Sequence, residues 1–252
     1  FFFKQKTAYE ISTRDWSSDV CSSDLPEPAL LVDRSPTWWM GAYAQGWFPM
    51  AEALRGQAHP PLRLYRSRER ALLPMDGSLH VSRSLRRVLR AGSFQLSLNR
   101  AFSAVVRACA DRAETWISPE LADLYERLHT AGLAHSVEAW QDDALAAGML
   151  AIAIGRCWIG ESMAHGRPHA GNVLLVELVE ALRRGGFALF DVQLSSPHLR
   201  RFGCFTVSDA AYSELLCQAR AHAACLRLGA DVLESRAWPP SDAKMGADKK
   251  QT

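Results

Sequence analysis

Residues 147–204 constrain the fold more than any other stretch, because their apolar pattern permits only one order of elements: strand, strand, helix, strand. Ala147 to Ile154 is an apolar run stopped by Gly155 and Arg156, and Cys157 to Ile159 resumes it, which predicts a buried hairpin. Val173 to Leu182 carries apolar side chains on one helical face, and Gly185 and Gly186 end that helix. Phe187 to Leu194 then alternates as a strand, so that Asp191 and Gln193 share one side of it. Two polar groups on a mostly apolar strand are costly to bury unless they meet partners or a ligand. The residues alone leave both readings open, a site or a satisfied structural pair.

The surrounding pattern extends this block into an α/β (α+β) fold with a mainly antiparallel, partly mixed sheet. Ser35 or Thr37 can cap a helix that Gly46 ends, and residues 52–62, with Gly56, Pro60 and Pro61, read as a loop closing a small N-terminal unit. Phe94 to Asn99 predicts a strand and Ala101 to Ala110 a helix. Ser118-Pro119-Glu120 starts a second helix that Gly132 terminates, and Ala134 to Trp140 a further strand. Val207-Ser208-Asp209 opens a last helix expected to reach about Arg227. Residues 80–91 form the most basic helix: Arg83, Arg86, Arg87 and Arg90 recur at three and four residues, opposite Leu85, Val88 and Leu89. Such a stripe is either a solvated face or a phosphate-tracking surface. His135 reads as a core or turn histidine. The six cysteines show no ligand spacing, so no metal site is expected and reduced thiols of a cytoplasmic protein are. No apolar run approaches membrane-spanning length, and a net charge of +2 discriminates little. Residues 1–25 lack a sustained period and read as non-native adapter read-through or a disordered extension; residues 237–252 read as a disordered tail.

Several words in this order resemble the leucyl/phenylalanyl-tRNA–protein transferase family. They are Tyr43-Ala44-Gln45-Gly46-Trp47-Phe48-Pro49, His80-Val81-Ser82-Arg83-Ser84-Leu85, Thr115-Trp116-Ile117, Ala134 to Trp140, Gly160-Glu161-Ser162-Met163, Asp191-x-Gln193, and His198 with Gly203. The resemblance implies an acyl-CoA N-acyltransferase-like domain over residues 63–236, preceded by a small N-terminal domain to which 26–62 contribute. It implies transfer of Leu, Phe or Met from aminoacyl-tRNA to the amine of proteins that begin with Arg or Lys, marking them for degradation, by a monomer without cofactor. Asp191 and Gln193 take the catalytic positions. Substrate contacts fall to Glu161, Met149, Trp158, Gly160, Ser162, Met163, Leu175, Leu178, Trp116 and Tyr65, and the Arg83, Arg86, Arg87 and Arg90 stripe meets the tRNA backbone.

The chain departs from the family where Ala164-His165-Gly166 and Ala170-Gly171-Asn172 replace words containing Phe-Ser-Arg and Ala-Ser-Lys, so a lysine is lost. It also departs in Leu64 to Arg70, where only Arg70 and the aromatic character of Tyr65 survive. Two other readings stand beside the transferase: a tRNA-binding paralogue with lost or altered activity, and an acyl-CoA-dependent N-acyltransferase. Arg183-x-x-Gly186-x-Ala188 fits a pyrophosphate loop in spelling, but it closes a helix instead of opening one.

Overall fold

The computed structural model describes residues 35–51, 62–112 and 115–238; the expectations for 1–25, for the loop at 52–61 and for 239–252 lie outside them. In chain order the elements are α1 (Pro36–Tyr43), β1 (Phe48–Ala51), β2 (Leu62–Tyr65), β3 (Glu69–Leu73), α2 (Arg83–Ala91), β4 (Gln95–Leu98), α3 (Phe102–Ala110), α4 (Pro119–Thr130) and β5 (Ala134–Gln141). They continue with β6 (Ala144–Ile154), β7 (Cys157–His165), α5 (Ala170–Arg184), β8 (Leu189–Gln193), α6 (Pro197–Arg200), β9 (Phe205–Ser208), α7 (Asp209–Arg220), β10 (Ala224–Leu228) and β11 (Asp231–Ser235). Helix starts follow from their caps: the hydroxyls of Ser35, Ser82, Ser118 and Ser208 each accept from a main-chain N–H three residues on.

Seven strands form one sheet in the order β4-β5-β6-β7-β8-β3-β9. Every neighbouring pair is antiparallel except β7 and β8, which α5 connects as a crossover. The result is the mixed, mainly antiparallel sheet of an α/β protein. The parallel pair holds only from Cys157–Leu189 to Ile159–Asp191. Beyond it β7 runs on to His165 while β8 stops at Gln193, so the two strands part. At the same level β7 carries a bulge: Ala151 faces Gly160 and Leu150 faces Ser162, which leaves Glu161 as the extra residue. A bulge re-aims the side chain it carries, and here that side chain is a carboxylate.

The sheet separates two apolar layers. One, beneath α5, contains Met149, Trp158, Met163, Leu175, Leu178 and Phe190; the other, beneath α1, α3, α4 and α7, contains Tyr43, Val105, Tyr125, Leu150, Ile159 and Tyr212. The β1–β2 ribbon belongs to the second layer through Phe48, Met50, Leu62 and Leu64, and the expected division at 62/63 falls at the first residues of β2.

The last helix ends at Arg220, seven residues short of the expectation, and residues 224–235 form the β10–β11 hairpin instead. Leu226, Arg227 and Leu228 fit either period when read alone. The deciding signal is the Gly229-Ala230 turn, with Gly229 at φ +59°, which pairs Leu228 with Asp231 and puts Leu226 in the core. Among the described residues no helix is long and apolar enough to cross a membrane.

Candidate active site

Where β7 and β8 part, three polar side chains lie within the apolar layer of α1, α4 and α7. Asp191 is 0 % exposed, Glu161 6 % and Gln193 7 %. Each is held differently, and the differences decide what each can do.

Asp191 is saturated with donors. Arg70, at 1 % exposure, gives it Nε at 2.9 Å and an Nη2 nitrogen at 2.7 Å; the Tyr212 hydroxyl donates at 2.6 Å, and the main-chain N–H of Gln193 donates to Oδ1 at 2.7 Å. Burial works against the charge of Arg70, but the Asp191 carboxylate beside it more than compensates and holds the guanidinium above its ordinary value. Arg70 also lies over the rings of Phe48 and Tyr212, at 4.8 and 4.6 Å, and donates to the Gly46 carbonyl. A carboxylate so occupied is not free to take a proton from a substrate. What it does control is the backbone of Gln193, which sits at φ +62° in the left-handed region that a side-chain-bearing residue adopts only when held. Asp191 therefore reaches Gln193 through its main chain, not through the side-chain amide.

Glu161 is different. Its Oε2 accepts from the Tyr125 hydroxyl at 2.8 Å, while Oε1 has no hydrogen-bond partner, and neither has Nε2 of Gln193. Burial pushes the carboxyl up to about 7; Tyr125, Gln193 and Arg70, which favour its charged form, recover only part of that shift. Tyr43 stands against the same carboxyl, and burial raises both tyrosines well above the usual phenol value. The split thus presents a carboxyl that titrates near neutrality beside an amide with an unspent donor.

The remaining candidates divide by face. Met149, Trp158, Met163, Leu175 and Leu178 come together, buried, on the α5 side of the sheet. Glu161, Asp191 and Gln193 lie on the other side, and the parting of the strands is where the two sides approach. Gly160 stands at that point: a Cβ there would lie 3.3 Å from the Phe190 ring and 3.8 Å from Met149 Sδ, so a side chain would crowd the Phe190 ring. The Ser162 hydroxyl accepts from Arg112, which also donates to the Met163 carbonyl at 2.7 Å and so fixes the strand edge beside the split. Trp116 and Tyr65 are half-buried against the layer of α1 and α4; Ala51 N–H donates to the Trp116 carbonyl, and the Tyr65 ring lies 6.4 Å from that of Phe48. Arg83, Arg86, Arg87 and Arg90 are all exposed on α2 and take no part in the split. His135 is a core histidine: burial lowers it to about 4, its Nδ1 meets the Asn99 amide at 3.2 Å, and its ring stacks on Trp158 at 6.4 Å.

Sequence reasoning missed Arg70, Tyr43, Tyr125, Tyr212 and Arg112 as parts of this centre. For Arg70 a signal existed: on a strand it shares a face with Leu72, so an exposed basic run was not the only reading of Arg66, Arg68 and Arg70. The tyrosines carried none, since Tyr125 and Tyr212 fall on the apolar stripes of amphipathic helices and Tyr43 lies in a helix that is apolar nearly throughout.

Fold and site together define an α/β protein whose mixed sheet splits around a buried acid and amide, with a buried apolar cluster on the opposite face, a layout suited to acyl transfer. Residues 72–217 match the family described as leucyl/phenylalanyl-tRNA protein transferase. Curated relatives with that name include one from Synechococcus sp. (strain JA-3-3Ab), 50% identical over 74% of this chain and 92% of its own, and one from Thermosynechococcus vestitus, 50% identical over 70% and 87%. The chain belongs to the leucyl/phenylalanyl-tRNA protein transferase family and is by that membership an aminoacyltransferase. Likeness to solved structures is distant: FemX matches with a TM-score of 0.42 and 12% identity over 66% of this chain and 65% of its own.

Proposed function

We propose that the chain transfers Leu, Phe or Met from aminoacyl-tRNA to the α-amine of a protein beginning with Arg or Lys, in the cytoplasm, and so tags the acceptor for degradation. The observation that carries this reading is the juxtaposition at the split of two buried side chains, the Glu161 carboxyl, which burial pushes up to about 7, and the Gln193 amide. The tRNA ester is already activated, and a protein α-amine has a pKa of roughly 7.7–8.0, so the reaction needs alignment and a modest proton acceptor more than a strong base. In this reading the aminoacyl side chain occupies the apolar pocket of Met149, Met163, Leu175 and Leu178 with Trp158 at its base, and flexible thioethers suit both branched and aromatic guests.

The amine then approaches Gln193, whose amide oxygen accepts one N–H and whose Nε2 donates toward the developing oxyanion. Glu161 takes the proton that the amine loses on forming the peptide bond and returns it to the ribose oxygen as the ester C–O bond breaks, so the tRNA leaves with a free hydroxyl. The match between a carboxyl near 7 and an amine near 8 keeps that proton movement close to thermoneutral. Asp191 acts through Arg70 and the Gln193 main chain as a positioning group. The exposed arginines of α2 lie along tRNA phosphates, reading charge and shape.

The test is transfer of labelled Leu, Phe and Met from their tRNAs to peptides that begin with Arg, Lys or Ala. Transfer to Arg and Lys termini, with Ala inert, is expected. Absence of transfer from all three tRNAs, by a protein that still binds tRNA, would leave a binding paralogue in its place.

A further inference from the structure

A second concave feature lies away from the split, at the β4 edge of the sheet. It is a groove of about 800 Å³ between α2, β4, one flank of α5 and the β10–β11 hairpin. Its floor is apolar, with Val88 and Leu89 from the flank of the arginine helix. Two aromatic rings, Phe94 and Trp140, line it half-buried, and Trp140 is fixed by its indole N–H donating to Ser97 at 2.7 Å. Arg100, Arg184 and Arg227 stand on it, all exposed. Arg100 pairs with Asp231, whereas among the described residues no carboxylate pairs with Arg184 or Arg227. Glu177 and Asp143 are the acids on the same lining.

The lining itself carries three arginines; Arg100 is paired with Asp231, and Arg184 and Arg227 stand across from Glu177 and Asp143. Arginines beside fixed half-open aromatic rings are the chemistry of an unstacked base with its phosphates. The two carboxylates add acceptors for base N–H groups, and they disfavour a phosphate on their own side of the groove.

We propose that this groove takes an unpaired nucleotide of the donor tRNA, remote from its aminoacylated end. The base stacks on Phe94 or Trp140, and its phosphates meet Arg184 and Arg227. This rests on the transferase reading for the identity of the RNA, but the groove's own chemistry is independent of the split. It gives the enzyme a hold on the body of the tRNA that an aminoacyl-adenosine fragment lacks.

The test compares full-length aminoacyl-tRNA with an aminoacyl-adenosine donor, using R184E/R227E and Phe94→Ser. All three positions lie outside the catalytic split, and circular dichroism melts check that each variant folds. For R184E/R227E the KM for aminoacyl-tRNA should rise at least tenfold and the log–log salt slope of tRNA binding should fall by between one and two, because about two phosphate contacts are lost. Phe94→Ser should raise the same KM roughly tenfold with the slope unchanged, since a stacked base is lost and no counterion. Transfer from aminoacyl-adenosine should be untouched in both. An unchanged KM and salt slope for tRNA, or an equal loss with aminoacyl-adenosine, overturns the proposal. If the parent protein transfers from neither donor, the transferase reading fails, and the same salt slopes measured with uncharged tRNA still decide the groove.

Discussion

At the scale of the residue, the centre assigns different work to two side chains that the strand period groups together. Gln193→Ala removes the free amide and leaves Asp191 with all its partners, so transfer should slow by about 10²-fold to 10⁴-fold with the melting temperature and tRNA affinity preserved. Asp191→Asn instead strands the Arg70 charge in a site 1 % exposed and should cost about 3–5 kcal/mol of stability, seen as a lowered urea midpoint alongside slower transfer. Equal melting of the two variants would refute this division. Glu161 supplies a pH test. Its folded carboxyl, raised from 4.5 to about 7, binds its proton more tightly than the unfolded one, so its contribution to stability is highest below 4.5 and declines until pH passes about 7. Glu161→Gln should abolish that decline, and the variant should gain about 3 kcal/mol on the parent between pH 4.5 and 7.5 in paired denaturation curves. The polar pair was legible in the sequence because an apolar strand makes polar interruptions conspicuous. That Asp191 is spent on Arg70 and Tyr212 was not, since those partners lie 121 residues before it and 21 after it and only tertiary packing joins them.

At the scale of the element, helices with a clear apolar face were legible to within two or three residues, as α3, α4 and α5 illustrate, with a serine cap to mark the start in α4 alone of the three. Short strands divided: β4 and β8 lie within longer alternating stretches and were legible, whereas β1, β2, β3 and β9 have no such stretch around them and exist because neighbours supply their hydrogen bonds. The C-terminal hairpin had a signal that the helical period masked. Its seat depends on one close approach: Gly185, at the end of α5, accepts from Cys225 N–H at 2.9 Å, and a Cβ at Gly185 would collide with the Cys225 carbonyl. Gly185→Ala should therefore push β10 away from α5 and lower stability by about 1–3 kcal/mol, read as a drop in melting temperature. A control at Gly92, where a Cβ meets nothing within 4 Å, should lose only what its positive φ of +62° costs a side chain.

At the scale of the whole molecule, charge and connectivity are the properties that no single element shows. Reversing Arg83 and Arg87 to Glu should weaken tRNA binding and flatten its salt dependence while leaving the fold intact, because both side chains are exposed. An unchanged slope in a filter-binding series would return the stripe to an ordinary solvated surface. Connectivity has a consequence for how the chain is made. The carbonyls at the end of α1 are taken by two buried arginines: Gly46 by Arg70 and Ala44 by Arg220, the second across 176 residues of sequence. α1 also brings Tyr43 to the Glu161 carboxyl. A ribosome delivers the N-terminal half long before Arg220 emerges, so the first helix must wait for nearly the last one, and contacts of such separation fold slowly. The end of α1 is therefore secured only when both Arg70 and Arg220 are packed beneath it, so the centre beside Tyr43 is among the last parts of the fold to form.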